Sequence, residues 1–92
     1  MAVGVIWYPP IDRQTYDTVS DRVRETAASK GLRFHAAGEG DGAWRIIEIW
    51  ESRDGLEDFI REDLAPTIDD VSGGQAPQPE PEVVFEIVNE LP

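Results

Sequence analysis

The sequence predicts an α+β fold in which a strand, a helix, two strands, a second helix and a last strand follow one another. Four segments combine β-prone apolar residues with the length of a strand: 2–8, 32–39, 43–51 and 82–88. Two segments repeat apolar residues every three or four positions, as a buried helix face does: 12–30 and a segment from about 52. At 92 residues the chain has the size of one domain, assigned to residues 1–92.

The first strand and the first helix have recognisable ends. Pro9 and Pro10 follow the first apolar segment and cannot donate hydrogen bonds to a sheet. Asp12 is a suitable N-cap for the helix, and Gly31 stands where helices commonly end. The apolar stripe of this helix consists of Tyr16, Val19, Val23 and Ala27.

The second and third strands are predicted to form a hairpin. Alternation in the second strand separates two sets of side chains: Leu32, Phe34 and Ala36 against Arg33, His35 and Ala37. The run GEGDG at 38–42 then turns the chain back into the third strand. Because this glycine-rich run joins two strands and precedes no helix, we interpret it as a turn and not as a phosphate-binding loop.

The second helix has two alternative N-caps, Ser52 or Asp54, of which Asp54 forms a capping box with Glu57. Its apolar stripe consists of Leu56, Phe59, Ile60 and Leu64. We expect Pro66 to end or kink this helix, or to begin one further turn. Residues 72–81 hold three prolines and two glycines, which predicts an extended connection to the last strand.

This order of elements predicts a ferredoxin-like sheet. The chain divides into two strand–helix–strand halves, at about 2–39 and 43–88. Because such crossovers are right-handed, we expect the first and third strands to be the parallel central pair of a four-stranded, otherwise antiparallel sheet. Both helices would then cover the same face of the sheet.

The other face of the sheet is predicted to be apolar as well. The third strand carries Ile47 and Ile49 on the side opposite to Trp44, Ile46 and Trp50. The first and last strands show the same two-sided pattern. Because an apolar face of this extent promotes aggregation in water, we expect two chains to pack their sheets face to face as a homodimer.

Composition excludes several classes of function. The 8 basic and 19 acidic residues give a formal net charge of −11, which argues against nucleic acid as a partner. The absence of cysteine and the single histidine exclude disulfide scaffolds, thiolate metal sites and multi-histidine metal sites. No segment approaches the roughly 18 apolar residues that span a membrane. We therefore expect no membrane partner, no resident metal and a cytoplasmic location.

Three segments carry a resemblance to a known family: GLRFHAAG at 31–38, WRIIEIWES at 44–52 and DLAP at 63–66. With this order of elements, the chain resembles the dimeric α/β-barrel superfamily, and within it the small proteins of the antibiotic-biosynthesis-monooxygenase type. The resemblance implies a dimeric α/β barrel and a cofactor-independent oxygenase acting on a small aromatic or polyketide-like substrate. By residue type, it also implies a substrate-binding set of Trp7, Tyr8, Tyr16, Trp44, Arg45 and Trp50. Haem degradation is not implied, because the second helix has no histidine and the only asparagine is Asn89.

The residues themselves offer two candidates for a catalytic base, His35 and Glu48. His35 is the one side chain that ordinarily titrates near neutral pH, but a structural imidazole satisfied by its neighbours is an alternative. Glu48 shares a strand face with Trp44 and Trp50 and could act as a base, or it could form an interface or rim salt bridge with Arg45 of a neighbouring chain. The tryptophans could line a slot for a flat ligand or fill the core and the dimer interface.

Two functions therefore remain open from the sequence. The first is a cofactor-free oxygenase in which His35 or Glu48 takes a proton from a substrate held between the helices and the sheet. The second is a non-catalytic dimeric module that binds a small molecule or another protein. A cavity between helices and sheet would favour the first, and a filled, dry space would favour the second.

Overall fold

All the predicted strands and helices are present in the computed structural model, which describes residues 1–92. The strands are β1 (Val3–Trp7), β2 (Leu32–Gly40), β3 (Ala43–Trp50) and β4 (Val83–Glu86). The α-helices are α1 (Arg13–Ser29), α2 (Arg53–Phe59) and α3 (Ala65–Ser72). A π-helical segment, Ile60–Leu64, joins α2 to α3, so that both belong to one continuous helical region.

The sheet has the order β2-β3-β1-β4, and every neighbouring pair of strands is antiparallel. The four-stranded antiparallel sheet is thus confirmed, but the expectation that β1 and β3 run parallel is wrong. The right-handed crossover through α1 makes β2 parallel to β1 and leaves a gap between them. The β2–β3 hairpin places β3 in this gap, antiparallel to both neighbours.

Helix α1 begins as predicted. The Asp12 side chain accepts a hydrogen bond from the backbone N–H of Thr15 at 2.8 Å, and this bond lowers the pKa of the Asp12 carboxyl. Three of the four stripe residues are buried: Val19, Val23 and Ala27. The fourth, Tyr16, is only partly buried because its ring reaches the edge of the space between α1 and the sheet.

Strand β2 contains a β-bulge that the alternation of the sequence does not show. Leu32 pairs with Trp50 and Phe34 pairs with Ile49, so that Arg33 is an extra residue between them. Leu32 therefore packs on the core, whereas Phe34 lies on the opposite face of the sheet. The expectation that Leu32 and Phe34 share a face is wrong, because one inserted residue inverts the alternation.

The turn of the hairpin is shorter than the run 38–42 suggests. Strand β2 continues to Gly40, which pairs with Ala43, and only Asp41 and Gly42 form the loop. Both residues have positive φ angles, 55° and 75°. This is the backbone of a two-residue type I′ turn, for which Asp-Gly is a favoured sequence.

Between Ser52 and Asp54, the structure selects Ser52 as the N-cap of α2, with its hydroxyl accepting from the N–H of Gly55 at 3.1 Å. Further along, the N–H of Ala65 reaches the carbonyl of Ile60, five residues back. Pro66 follows at once and lies in the first turn of α3, where its missing N–H costs least. Pro66 therefore begins a further helix instead of ending the helical region.

The connection from α3 to β4, residues 73–82, is extended and is named the strap below. Gly73 ends α3 in the left-handed conformation with φ of 64°. The strap is fixed at one end by the Ala76 N–H on the Ser72 hydroxyl, at 3.2 Å. It is fixed at the other by the Glu82 N–H on the carbonyl of Ile6, at 2.8 Å. Between these points it passes along the space between α1 and the sheet.

The core lies between the helices and one face of the sheet. Its ten buried members are Val3, Val5, Trp7, Val19, Val23, Ala27, Ile46, Trp50, Leu56 and Phe59. The opposite face has no helix over it, and four large apolar side chains there are about half exposed: Phe34, Ile47, Val83 and Phe85. None of the helices combines the length and the apolar character needed to cross a bilayer.

Candidate functional site

A cavity of about 400 Å³ lies between the helices and the covered face of the sheet. Helix α1 forms one wall, the side chains of β1 and β3 form the floor, and the strap together with residues 8–11 borders its opening. Most of the lining is apolar, with Val19, Ile46, Phe59 and Ile68 among the contributors. Pockets that bind small organic molecules have this size and this mixture of apolar walls with few polar groups.

Glu48 is the buried charge at the floor of this cavity. It is 7% exposed, and three donors surround its carboxylate. The indole N–H groups of Trp7 and Trp50 donate to Oε1 at 2.8 and 3.0 Å. The second oxygen, Oε2, lies 2.7 Å from Nδ1 of His35. Because an indole N–H can only donate, this arrangement suits an ionised carboxylate that accepts all three bonds.

His35 connects Glu48 to the cavity. Its position on β2 is directly opposite Glu48 on β3, and the bulge at Arg33 turns it toward the helices. The other ring nitrogen, Nε2, lies 2.5 Å from the hydroxyl oxygen of Tyr16. Since Glu48 requires a donor at Nδ1, neutral His35 carries its proton there and accepts the Tyr16 O–H at Nε2.

Tyr16 is the third residue of the hydrogen-bonded series that begins at Glu48 and passes through His35. Its ring stacks on Trp44 with centroids 4.8 Å apart. Partial burial raises the pKa of the Tyr16 phenol above its usual 10, and the charge of Glu48 acts in the same direction. Ser20 and Arg24 oppose this increase but do not cancel it. Tyr16 is therefore a protonated hydroxyl at neutral pH, able to donate one hydrogen bond and to accept another.

Together Glu48, His35 and Tyr16 form a hydrogen-bonded chain, named the relay below. It runs from a fully shielded carboxylate to a hydroxyl at the cavity wall. Every buried polar side-chain atom of the protein has a hydrogen-bond partner, including those of the relay. No group of three or more acidic or histidine side chains is placed to hold a metal ion. The chemistry that this arrangement can perform is the transfer of a proton between a ligand and His35.

Neither a family model nor a curated protein matches the sequence. Solved structures resemble it over almost the whole chain. A conserved protein from Methanosarcina mazei Go1 is similar with a TM-score of 0.65 at 15% identity, covering 92% of this chain and 91% of that one. Rv0793 from Mycobacterium tuberculosis gives 0.58 at 19%, covering 97% and 95%. A protein named YJCS gives 0.57 at 16%, covering 96% and 97%. This likeness establishes the fold.

The structure brings some of the predicted site residues together and separates others. His35, Glu48, Tyr16 and Trp7 meet around the relay. Trp44 and Trp50 contact the relay but do not line the cavity. Trp44 stacks on Tyr16. Trp50 is fully buried, donates a hydrogen bond to Glu48 and packs against Phe59 with ring centroids 5.1 Å apart.

Two of the predicted residues, Tyr8 and Arg45, lie apart from the relay. Tyr8 is half exposed at the rim of the cavity. Arg45 does not line the cavity, because it alternates with Trp44 and points to the uncovered face of the sheet. There its guanidinium lies 4.7 Å from the centre of the Tyr8 ring. Arg45 is therefore not the partner of Glu48 within the chain.

Three contributors to the wall of the cavity were not expected from the sequence: Ser20, Arg24 and residues 76–80 of the strap. The two helical residues have a signal in the sequence, because they follow Tyr16 at intervals of four and therefore lie on one side of α1. The strap residues have none. Their proline-rich composition predicts an extended connection but not the element over which it passes.

Proposed function

We propose that the protein is a cofactor-independent oxygenase that acts on a small hydroxylated aromatic substrate. The observation that carries this proposal is the relay, whose outer end reaches an apolar cavity of about 400 Å³. The resemblance to small proteins of the antibiotic-biosynthesis-monooxygenase type supports the same reading. In this proposal, the catalytic pair of His35 and Glu48 is joined by Tyr16, which touches the substrate.

The relay can take a proton without leaving a charge unpaired. A substrate hydroxyl gives its proton to the Tyr16 oxygen while the Tyr16 proton passes to Nε2 of His35. The imidazolium that forms already donates from Nδ1 to Glu48 at 2.7 Å, so that its positive charge has a partner in place. Tyr16 keeps a proton throughout and donates it to the new substrate oxyanion, which it thereby stabilises.

Oxygen then reacts with the electron-rich substrate anion. A ring carbon that carries the delocalised negative charge adds O₂ to form a hydroperoxide, with the required proton returned from His35 through Tyr16. That carbon bears a hydrogen, and cleavage of this C–H bond and of the O–O bond releases water and leaves a carbonyl group on the carbon. The substrate itself supplies the electrons, so that no separate reductant enters the balance.

Oxygen uptake on hydroxylated aromatics tests the proposal. We expect wild-type protein to consume oxygen, and His35→Ala, Glu48→Gln and Tyr16→Phe each to lower the rate by about 10²–10⁴-fold, the usual contribution of a general base. Glu86→Gln is the matched control, because Glu86 lies in β4 on the covered side of the sheet, exposed and without a salt bridge. Unchanged rates in the His35 and Glu48 variants would show that this assignment of the base is wrong.

A second candidate is a non-catalytic small-molecule-binding module. It is favoured by the complete hydrogen bonding of the relay, which is also what a structural cluster requires. In that case the three substitutions would lower the stability of the fold, and a ligand would still bind to the variants that fold. Calorimetric titration of an aromatic ligand into the same variants therefore separates the two candidates.

We further propose that the working unit is a homodimer formed by the uncovered faces of two sheets. Support comes from four large apolar side chains on that face, Phe34, Ile47, Val83 and Phe85, which are 42–53% exposed. Burial of such side chains is worth roughly 25 cal/mol per Å². Packing against a second copy removes them from water and closes the two sheets into a barrel-like unit.

Light scattering tests the homodimer. One chain has a mass of 10.3 kDa, and we expect the wild-type protein at micromolar concentration to show about twice this value. Ile47→Glu should give the monomer mass, because it places a charge in the centre of the apolar face. Gln14→Glu adds the same charge on the exposed side of α1 and should leave the dimer intact. A wild-type mass near 10 kDa would refute the dimer.

A further inference from the structure

Three polar residues form a row along the side of α1 that faces the cavity. Tyr16, Ser20 and Arg24 are spaced by four residues, and all three line the cavity. Tyr16 and Arg24 are separated by about 12 Å along the helix axis, with Ser20 midway between them. The cavity therefore has the relay at one end and an arginine at the other.

Arg24 is the only lysine or arginine in the wall of the cavity. Its one ion pair is with Asp21 in the preceding turn, at 3.4 Å between two side chains that are 73% and 75% exposed. An exposed pair of this kind holds an arginine weakly. By contrast, Lys30 is clamped by Glu62 and Asp63, both at 2.6 Å. Arg24 is thus available to a ligand in a way that Lys30 is not.

The other charged residues in the wall of the cavity do not prevent Arg24 from binding an anionic ligand. The Glu48 carboxylate is buried at the floor of the cavity, where it already accepts hydrogen bonds from two indole N–H groups and from His35. Glu80, in the strap, is exposed to solvent, where its field is screened by water and salt. Arg24 also influences the relay itself, since its charge partly offsets the increase in the pKa of Tyr16.

We propose that the cavity selects a flat organic acid, whose hydroxyl group meets Tyr16 and whose carboxylate binds the guanidinium of Arg24. The proposal rests on the proposed function for the identity of the site and specifies the class of its ligand. A ring system between the two groups lies against the apolar wall formed by Val19, Ile46 and Ile68. Arginine suits the outer position because its planar fork binds a carboxylate through two hydrogen bonds.

Calorimetric titration with two naphthalene probes tests this selection. The first probe, 6-hydroxy-2-naphthoate, carries a hydroxyl and a carboxylate at opposite ends, and the second, 2-naphthol, carries the hydroxyl alone. We expect wild-type protein to bind the acid at least about tenfold more tightly than the naphthol, the effect of one hydrogen bond between charged groups. Arg24→Gln should abolish this preference, and Arg24→Lys should retain part of it.

Arg13→Gln is the matched control. Arg13 is also a helix α1 arginine in an exposed pair with an aspartate, at 3.3 Å, but it does not line the cavity. The proposal is supported if Arg13→Gln still binds the acid more tightly than the naphthol and if 2-naphthol binds equally well to Arg13→Gln and Arg24→Gln. In wild-type protein, added salt should also reduce the difference in affinity between the acid and the naphthol. Equal preference in Arg24→Gln and wild type, no preference in wild type, or no binding of either probe would each overturn it.

These outcomes are independent of oxygen uptake. Acid selection by Arg24 without oxygen consumption would retain the ligand class and refute the oxygenase. Oxygen consumption on neutral phenols, without tighter binding of the acid, would support the oxygenase and refute the proposed ligand class. Thermal melting of each variant confirms that the compared proteins are folded.

Discussion

The two faces of the sheet differ in which side chains they bury and which they expose. The face covered by the helices contains Glu48, a charged residue that is 7% exposed. The uncovered face contains Ile47, the next residue along the same strand, which is 53% exposed. Ordinary partitioning would place the carboxylate outside and the isoleucine inside. Each face therefore holds the group that its surroundings disfavour.

The difference lies in how each group is compensated. Glu48 has three hydrogen-bond donors within the chain, which replace the water that it loses. Ile47 and its neighbours Phe34 and Phe85 have no such compensation inside one chain, because no helix covers them. The polar group of the covered face is thus satisfied within one chain, whereas the apolar groups of the uncovered face remain exposed. Three predictions test this contrast, beginning with the largest effect.

Glu48→Ala should have the largest effect on stability, because it removes the only acceptor of two buried indole N–H groups and the partner of His35. We expect the free energy of unfolding to fall by about 3–5 kcal/mol, as for other buried pairs that lose one member. Urea denaturation followed by circular dichroism measures this loss. In Glu86→Ala, which removes an exposed carboxylate, the change should stay within about 0.5 kcal/mol. Similar losses in both variants would mean that burial of Glu48 is not what makes it important.

A pair of glycine substitutions compares the rigidity of the two sides. A methyl group at Gly55 would lie 2.3 Å from the backbone oxygen of Lys30, which cannot move without disturbing the end of α1. At Gly4 it would meet the Phe85 ring at the same distance, on the uncovered face. We expect Gly55→Ala to cost about 1–3 kcal/mol of unfolding free energy and Gly4→Ala about 1 kcal/mol or less, because a half-exposed ring can turn aside.

Gly38→Ala is the control for these two variants, since nothing lies within 4 Å of a methyl group there and all three backbones suit alanine. Thermal melts of the three variants give the ranking. A larger loss in Gly4→Ala than in Gly55→Ala would show that Phe85 is held firmly in place, either by its own chain or by a second sheet packed on this face.

The smallest effect concerns alkaline pH. Burial raises the pKa of Tyr16 in the folded protein above the usual 10 that it has when unfolded. Below pH 10 both states keep the proton, and above it the unfolded state loses the proton first. The free energy of unfolding should therefore fall as pH rises from 10 through the raised pKa. Tyr16→Phe should weaken this dependence, and the difference in tyrosinate absorbance between the two proteins should titrate above pH 10.

Much of the fold can be predicted from local patterns. Pro9, Asp12 and Gly31 identify the ends of β1 and α1 because each has a backbone preference that acts within a few residues. The Asp-Gly pair at 41–42 identifies the hairpin for the same reason. The parallel direction expected for β1 and β3 is wrong, and the predicted elements themselves exclude it. The crossover through α1 makes β2 parallel to β1, and the hairpin then reverses the chain, so that β3 is antiparallel to both.

The site was predictable only in its composition. His35 and Glu48 were recognisable as unusual strand residues, but their contact depends on the bulge at Arg33, which a regular alternation conceals. The donor role of Trp7 was not predictable either, since it arises from the register of β1 on β3, where Val5 pairs with Glu48. Arg45 is the opposite case. Its position next to Trp44 in the sequence suggested a role in binding, but strand alternation places its side chain on the uncovered face, away from the relay.

The bulge also determines which changes in chain length the protein tolerates. Removal of Arg33 would leave Leu32, Phe34 and His35 opposite their present partners on β3, now as a regular strand. Removal of one residue between His35 and Glu48 would instead shift one half of the hairpin against the other and exchange the two faces. Between His35 and Glu48 the hairpin can therefore shorten in steps of two residues but not of one. Relatives that share the relay are expected to differ in length at Arg33 and to keep an even count between His35 and Glu48.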